Sequence, residues 1–389
     1  MGDILIEGKW ISAIDANLKA PPEAAVIDGA GKLAMPGLVN AHSHSSETFF
    51  RGRYERLPLE LWLLYAYPLL MGPLLPPLLV YLRSLLLAME SLKSGVTSMC
   101  DDFFDPPRHD HDRLAMVFRA YEDIGIRANV ASAVMNVHPL DALPYARGIL
   151  PVDLQAQLEF GPMITAEAYV DYCEEALSRF HDDYGRLRFM IAPSAPQRCT
   201  PDLLQACSEL AFEWQVPFHT HVLETRTQAV TGPEFHGASL IQYMHDLGIL
   251  TRNVTIAHSV WVNDADIDLI GESGCAVAHN AISSLKLGAG IAPVRRLMDA
   301  GAVLALGTDG VCSNDSARIF DVMRVAALVQ SATGPDFSRW LTASEVLTAA
   351  TIGSARSADL GDMTGSLEPG KCADLIMLRM DELAFNAVE

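Results

Sequence analysis

An α/β fold, a closed parallel barrel of eight strands with a small β appendage made by the two chain ends, is what this sequence predicts. Three observations carry the prediction. From residue 38 onward, short apolar runs alternate with longer amphipathic ones, the pattern of repeated βα units. Eight such short runs can be counted, enough to close a barrel rather than leave an open sheet. Histidines and carboxylates gather at the carboxyl ends of these runs, where barrels of this kind place their chemistry.

The elements follow in order. DILIEGKWISAI (residues 3–14) reads as β structure with a turn at Gly8-Lys9, and GKCADLIML (residues 370–378) reads as β structure at the other end. Neither belongs to the barrel count, so the two are expected to pair as an appendage covering residues 1–36 and 366–389. The barrel is expected over 37–365. Its strands are GLVNAHSH, GVTSMCDD, RANVASAVM, LRFMIAPS, VPFHTHV, VTIAHSV, CAVAHN and VLALGTDG. Helices are expected between them, among them residues 79–95, 112–125, 166–185 and 200–215, several stopping at a glycine just before the next strand, as αβ connections often do.

Bulk properties remove several function classes. Half of the 389 residues are hydrophobic and a fifth are charged, with a formal net charge of -20 and only six lysines. Nucleic-acid binding needs basic patches, so nucleic acid is not an expected partner. The apolar stretch over residues 61–82 contains Pro68, Gly72, Pro73, Pro76 and Pro77, which would strand backbone groups in lipid. No membrane span is expected there. That segment is read as a loop and helix over one mouth of the fold and as the contact of a homodimer. The seven cysteines form no CxxC pair and no signal peptide precedes them, which places the chain in the cytoplasm with reduced thiols.

The chemistry is concentrated at the strand ends. His42 and His44 alternate on one strand and therefore share a face. His219, His221 and Glu224 follow on the fifth barrel strand, His258 on the sixth, His279 on the seventh and Asp309 on the eighth. Imidazole and carboxylate ligands suit a borderline-soft divalent metal with one position left for water, which the metal acidifies. His219 is expected to be a hydrogen-bonded core histidine, and His279 a pocket wall or structural residue. The histidines of RHDHD (residues 108–112) are read as a solvated surface pair after a Pro-Pro turn. The HxE and PCxxC elements of the other zinc deaminase design are absent, as is HExxH.

PGLVNAHSH, HTHVLET, TIAHSV and LGTDG, in this order, resemble the amidohydrolase superfamily, and within it the mononuclear cytosine deaminase-like branch of triazine and guanine aminohydrolases. The resemblance runs from about residue 3 to about residue 378. It implies a distorted (β/α)8 TIM barrel with a β-sandwich from both termini, left incomplete by the short chain ends. It implies His42, His44, His221 and Asp309 as ligands of one ion, Zn2+ by default, with Fe2+ or Mn2+ also compatible. It further implies Asp309 as the base toward the attacking water, Glu224 as the proton shuttle, and His258 as the group that steadies the oxyanion. Binuclear members use a carboxylated lysine on the fourth strand; no lysine lies between Lys93 and Lys286, which favours one metal.

Three departures bear on the substrate. No carboxylate follows Glu60 in the apolar segment, which disfavours a ribosylated substrate. The fourth strand ends in APSAPQRC without the usual histidine, and HNAISS replaces the usual HNPxSN. Gln197, Trp62, Trp261, Asn280 and Ser313 are the candidate ring contacts. The expected activity is removal of an exocyclic amine from a small purine, pterin, pyrimidine or s-triazine ring. The alternative is hydrolysis of a C–Cl, C–S or N-alkylamine substituent, or of a cyclic amide, at the same site.

Overall fold

The computed structural model describes residues 2–68, 74–106, 109–158 and 162–381. Twelve strands are present in that span. β1 (Asp3–Glu7) and β2 (Trp10–Asp15) form an antiparallel hairpin, and β3 (Lys32–Pro36) pairs antiparallel with β12 (Leu375–Arg379). The two pairs meet where Trp10 bridges Cys372. Both chain ends thus build one appendage, although residues 382–389 of the expected segment lie outside the described residues.

The eight remaining strands are β4 (Leu38–Ser43), β5 (Val96–Phe103), β6 (Arg127–Ser132), β7 (Leu187–Phe189), β8 (Phe218–Val222), β9 (Val254–His258), β10 (Ala276–His279) and β11 (Val303–Leu306). They correspond one for one to the eight runs read from the sequence. Parallel pairing gives the orders β4-β5-β6-β7 and β8-β9-β10-β11. One seam between these halves is stitched where Ile191 bridges Phe218 and His221 N–H donates to Ser194 O at 3.0 Å. At the other, Asp309 N–H donates to His42 O at 2.9 Å and the Asn40 amide donates to Thr308 Oγ1 at 2.8 Å. The result is a (β/α)8 barrel whose carboxyl ends all open on one face.

Two strands are shorter than their sequence runs. β7 stops at Phe189 because Pro193 and Pro196 cannot donate to a ladder, leaving only single bridges beyond it. β11 stops at Leu306, since Asp309 has a positive φ of 63° that a strand does not accommodate. Helices Pro77–Lys93, His111–Ile124, Ala166–Phe180 and Pro201–Glu213 fill the expected gaps. The second is started by the Asp110 side chain, which accepts from Asp112 N–H and Arg113 N–H, and ended by Gly125 at φ 84°. Leu114, Val117 and Tyr121 of that helix are buried with Leu87, Met99 and Val130. This packing fixes β5 and β6, and so the height of their ends.

Candidate metal centre and active site

Three strand ends are held in sparsely populated backbone conformations. Leu223, His258, Ser259 and Asp309 all have φ between 50° and 80°, a region that costs non-glycine residues energy and is retained where the surroundings impose it. Here Ser259 N–H donates to Val222 O at 3.1 Å, and Val260 N–H and Trp261 N–H both donate to Leu223 O. The chain therefore bends sharply past β8 and β9, turning Glu224 and His258 toward each other, 3.7 Å apart.

His42, His44, His221 and Asp309 converge. His44 Nε2 lies 3.3 Å from Asp309 Oδ1 and 3.3 Å from His221 Nε2, and His42 Nε2 lies 3.6 Å from the same Asp309 oxygen. The tautomers follow from the other ring nitrogens. A backbone carbonyl only accepts, so His44 Nδ1–H donates to Asp102 O at 2.6 Å and His221 Nδ1–H donates to Ser194 O at 2.7 Å. In their unprotonated forms the two Nε2 lone pairs face each other and a carboxylate oxygen. His42 Nε2 is buried with no hydrogen-bond partner. Converging electron-pair donors, one of them orphaned, fit a cation among them.

The electrostatics agree. Burial lowers His42, and it holds His221 well below the ordinary imidazole range. Burial also lowers His44, but the carboxylates of Glu47, Asp309 and Asp102 outweigh it and raise it to about 9. Positive charge is thus demanded at the position where ligands converge. Burial opposes ionisation of Asp309, yet His42 and the other imidazoles hold it well below the usual carboxylate range. Glu224 goes the other way: burial and the Asp309 charge push it well above its ordinary value. Two carboxyls pushed apart in this way are suited to acid and base roles. His258, lowered to about 3 by burial, is a neutral imidazole, and the Asn280 amide sits 3.3 Å from its Nδ1.

His219 is fully buried and its Nε2 lies 2.8 Å from His42 Nδ1, so it orients a ligand from behind. His279 is buried at the end of β10 with both ring nitrogens unpartnered. The RHDHD segment corrects the sequence reading. Arg108 lies outside the described residues, but both histidines are partly buried. His109 sits 3.0 Å from Ser132 Oγ and His111 stacks on Tyr172, because the β5–helix connection folds against the neighbouring helix instead of into solvent.

A cavity of about 130 Å³ opens over the cluster. Trp62 and Ser313 line it, together with His44, His221, Glu224, His258 and Asp309. Gln197 is buried with an unpartnered Oε1, and Asn280 is buried behind His258; neither borders the cavity. Trp261 is 39% exposed, outside that lining, with its indole N–H on Ala289 O. Sequence reasoning missed Glu47, Tyr67, Asp102 and Arg198, which all line the cavity. Glu47 is held by the Tyr67 hydroxyl at 3.1 Å, and a Cβ at Gly310 would lie 1.7 Å from its Oε2. The second glycine of LGTDG is therefore required by a carboxylate 263 positions earlier in the chain. The only available signal for Asp102 was its adjacency to Asp101 at a strand end.

Residues 33–387 match the model of the amidohydrolase family. The chain belongs to the amidohydrolase family. A 5-methylthioadenosine/S-adenosylhomocysteine deaminase of Desulforudis audaxviator is 37% identical over 358 residues, 92% of this chain and 75% of that protein. The structure of atrazine chlorohydrolase TrzN from Arthrobacter aurescens, complexed with zinc, superposes with a TM-score of 0.89 at 28% identity, covering 100% of this chain and 84% of the other. An adenosine deaminase from Xanthomonas campestris with bound zinc gives a TM-score of 0.85 at 27% identity over 99% and 81%. This amidohydrolase thus shares its barrel with zinc enzymes, and its own His/Asp cluster supplies a zinc-type donor set.

Proposed function

We propose that this amidohydrolase removes an exocyclic amine from a small aminated N-heterocycle and releases ammonia. The observation that carries the reading is the placement of a buried Glu224, 3.7 Å from His258, beside Asp309 and converging imidazoles, with burial raising the first carboxyl and the imidazoles lowering the second. His42, His44, His221 and Asp309 would hold the divalent ion, zinc by preference. Such an ion supplies Lewis acidity and brings a water molecule's pKa toward neutrality.

The chain's own groups do the rest. The ring lies in the cavity between Trp62 and the Glu224 carboxyl. Glu224 delivers its proton to the ring nitrogen beside the amine-bearing carbon, which makes that carbon electrophilic. Asp309 accepts the proton of the attacking water on its carboxylate. His258 steadies the charge that develops on the adding oxygen. The adduct's hydroxyl proton then passes through the Glu224 carboxylate to the amine, which needs one to leave, and the proton held by Asp309 resets Glu224. Asn280 sets the ring of His258, while Gln197 and Trp261 support the walls.

Two further readings rest on particular observations. One structural neighbour is named a chlorohydrolase, which favours halide displacement as the alternative reaction. An amine needs a proton to leave and chloride does not, so a buried carboxyl raised above its ordinary range, Glu224, supports deamination. The named sequence relative is a nucleoside-type deaminase. Glu60 accepts from Thr225 Oγ1 next to Glu224 but does not border the cavity, so it adds no support to a ribosylated substrate.

The appendage is taken as residues 1–36 with 366–389 beside a barrel of 37–365. Leu61, Leu64, Tyr65 and Leu78 are each exposed by 46% or more, which supports a homodimer contact; Leu69 to Pro73 of the same segment lie outside the described residues. Native mass spectrometry showing monomer alone would remove that assignment. No helix among the described residues is long and apolar enough to cross a membrane. All seven cysteines are free and buried, which supports a reducing, cytoplasmic location. The functional test is ammonia release by zinc-loaded protein across aminated purines, pterins, pyrimidines, s-triazines and adenosine-type nucleosides. Release from any of them supports deamination; chloride or alkylamine release in its place overturns it.

A further inference from the structure

Arg198 differs from the other arginines packed into this fold. Arg83, Arg113, Arg127 and Arg188 are buried, and each has a carboxylate oxygen between 2.5 and 3.1 Å away. Arg198 lines the active-site cavity at the end of the Pro196–Arg198 turn, yet among the described residues no carboxylate oxygen lies within 4.0 Å of it. Its Nη1 donates to Ser194 Oγ at 3.2 Å. A guanidinium carries five N–H donors in a planar fork. Arg198 is only partly buried, and its remaining donors face the cavity beside the reaction centre, open to a further acceptor.

The position narrows the missing acceptor. Ser194 O holds His221, and Glu224 is among the charges nearest the guanidinium. An acceptor there belongs to the same ring edge as the nitrogen that Glu224 protonates. Asp309, held ionised by the imidazoles, borders the cavity, so a phosphate or carboxylate would meet repulsion. A neutral carbonyl oxygen would not. Leu59, Trp62 and Phe104 supply apolar walls, as a flat ring requires.

We propose that Arg198 is a specificity-determining residue that binds an exocyclic carbonyl oxygen of the substrate. The preferred ring then has its amine-bearing carbon and a carbonyl carbon on either side of the ring nitrogen that Glu224 protonates, as in cytosine and isoguanine. This rests on the deaminase reading and sharpens it, separating amino-oxo rings from the adenosine type named for the sequence relative.

The test is a set of matched pairs: cytosine against 4-aminopyrimidine, and isoguanine against adenine. For zinc-loaded wild type, kcat/KM for ammonia release should favour the oxo member of at least one pair by roughly 10- to 100-fold, the scale of one hydrogen bond to a charged group. Arg198→Met should collapse that ratio toward one, and Arg198→Lys should restore part of it. Equal rates within every pair, or equal loss on both members in Arg198→Met, overturns the proposal. If Arg198→Met does not fold, the wild-type ratios still decide. Calorimetric binding of xanthine against hypoxanthine and of uracil against pyrimidin-4-one reads the same contact without turnover. Silence in the ammonia assay would overturn the deaminase reading, and tighter binding of the dioxo rings, lost in Arg198→Met, would still uphold the Arg198 contact. Equal binding would overturn it.

Discussion

Gly307 packs directly against His42: a Cβ at Gly307 would lie 2.8 Å from His42 Cβ, 3.0 Å from His42 N and 2.3 Å from Asn280 Oδ1. The first glycine of LGTDG is thus the point where the last barrel strand closes on the first, and any side chain there would push a metal ligand outward. Gly307→Ala should lower stability by about 1–3 kcal/mol, the usual cost of overpacking a filled interior. It should also reduce bound zinc. Thermal unfolding with metal analysis checks both; a fully metallated, equally stable variant would show that the seam is looser than the distances imply.

His219 should act on metal affinity without binding the ion. Its Nε2, 2.8 Å from His42 Nδ1, fixes the ring of a ligand. Groups in this role typically change affinity 10- to 100-fold. His219→Phe is expected to bind zinc more weakly by roughly that factor in chelator competition, whereas His221→Ala should lose the site altogether.

Metal uptake should release protons. His44 in the metal-free protein is raised to about 9, so near pH 7.5 it carries a proton that zinc must displace. Calorimetry in two buffers of different ionisation enthalpy should show about one proton released per zinc, falling away as pH approaches 9. No release at neutral pH would mean that His44 is already unprotonated there.

Glu47 gives a stability prediction with a definite sign. Burial is the largest influence on it and raises its carboxyl from 4.5 to about 8. The folded metal-free protein therefore retains a proton that the unfolded chain has lost. Stability from this group is fully present below about pH 4.5 and disappears as pH rises through about 8. Metal-free Glu47→Gln should be less sensitive to pH across that window than wild type. Parallel denaturation curves at every pH would contradict the assignment.

The barrel was legible because its determinants are periodic: apolar runs such as Val254–His258 and Ala276–His279 declare buried strands one after another. The proposed metal ligands were legible because His42, His44, His221 and Asp309 stand at the ends of those runs, and the structure brings the four together. Glu47 and Arg198 were not, since neither has a spacing that marks it. Glu47 is defined by its contact with Gly310, and Arg198 by the carboxylate it lacks; both are long-range facts of the fold. The half-buried His109 was misread for the same reason, because a polar segment after two prolines looks solvated until its neighbouring helix is in place.

Glu224→Gln provides the most direct measurement. Glutamine keeps the shape and removes the transferable proton, and Glu224 is not one of the four proposed ligands. Bound zinc should stay at the wild-type level while ammonia release from the best substrate falls by about 10²-fold or more, the range typical of a lost general acid. Wild-type rates in a fully metallated Glu224→Gln protein would show that another group moves the proton.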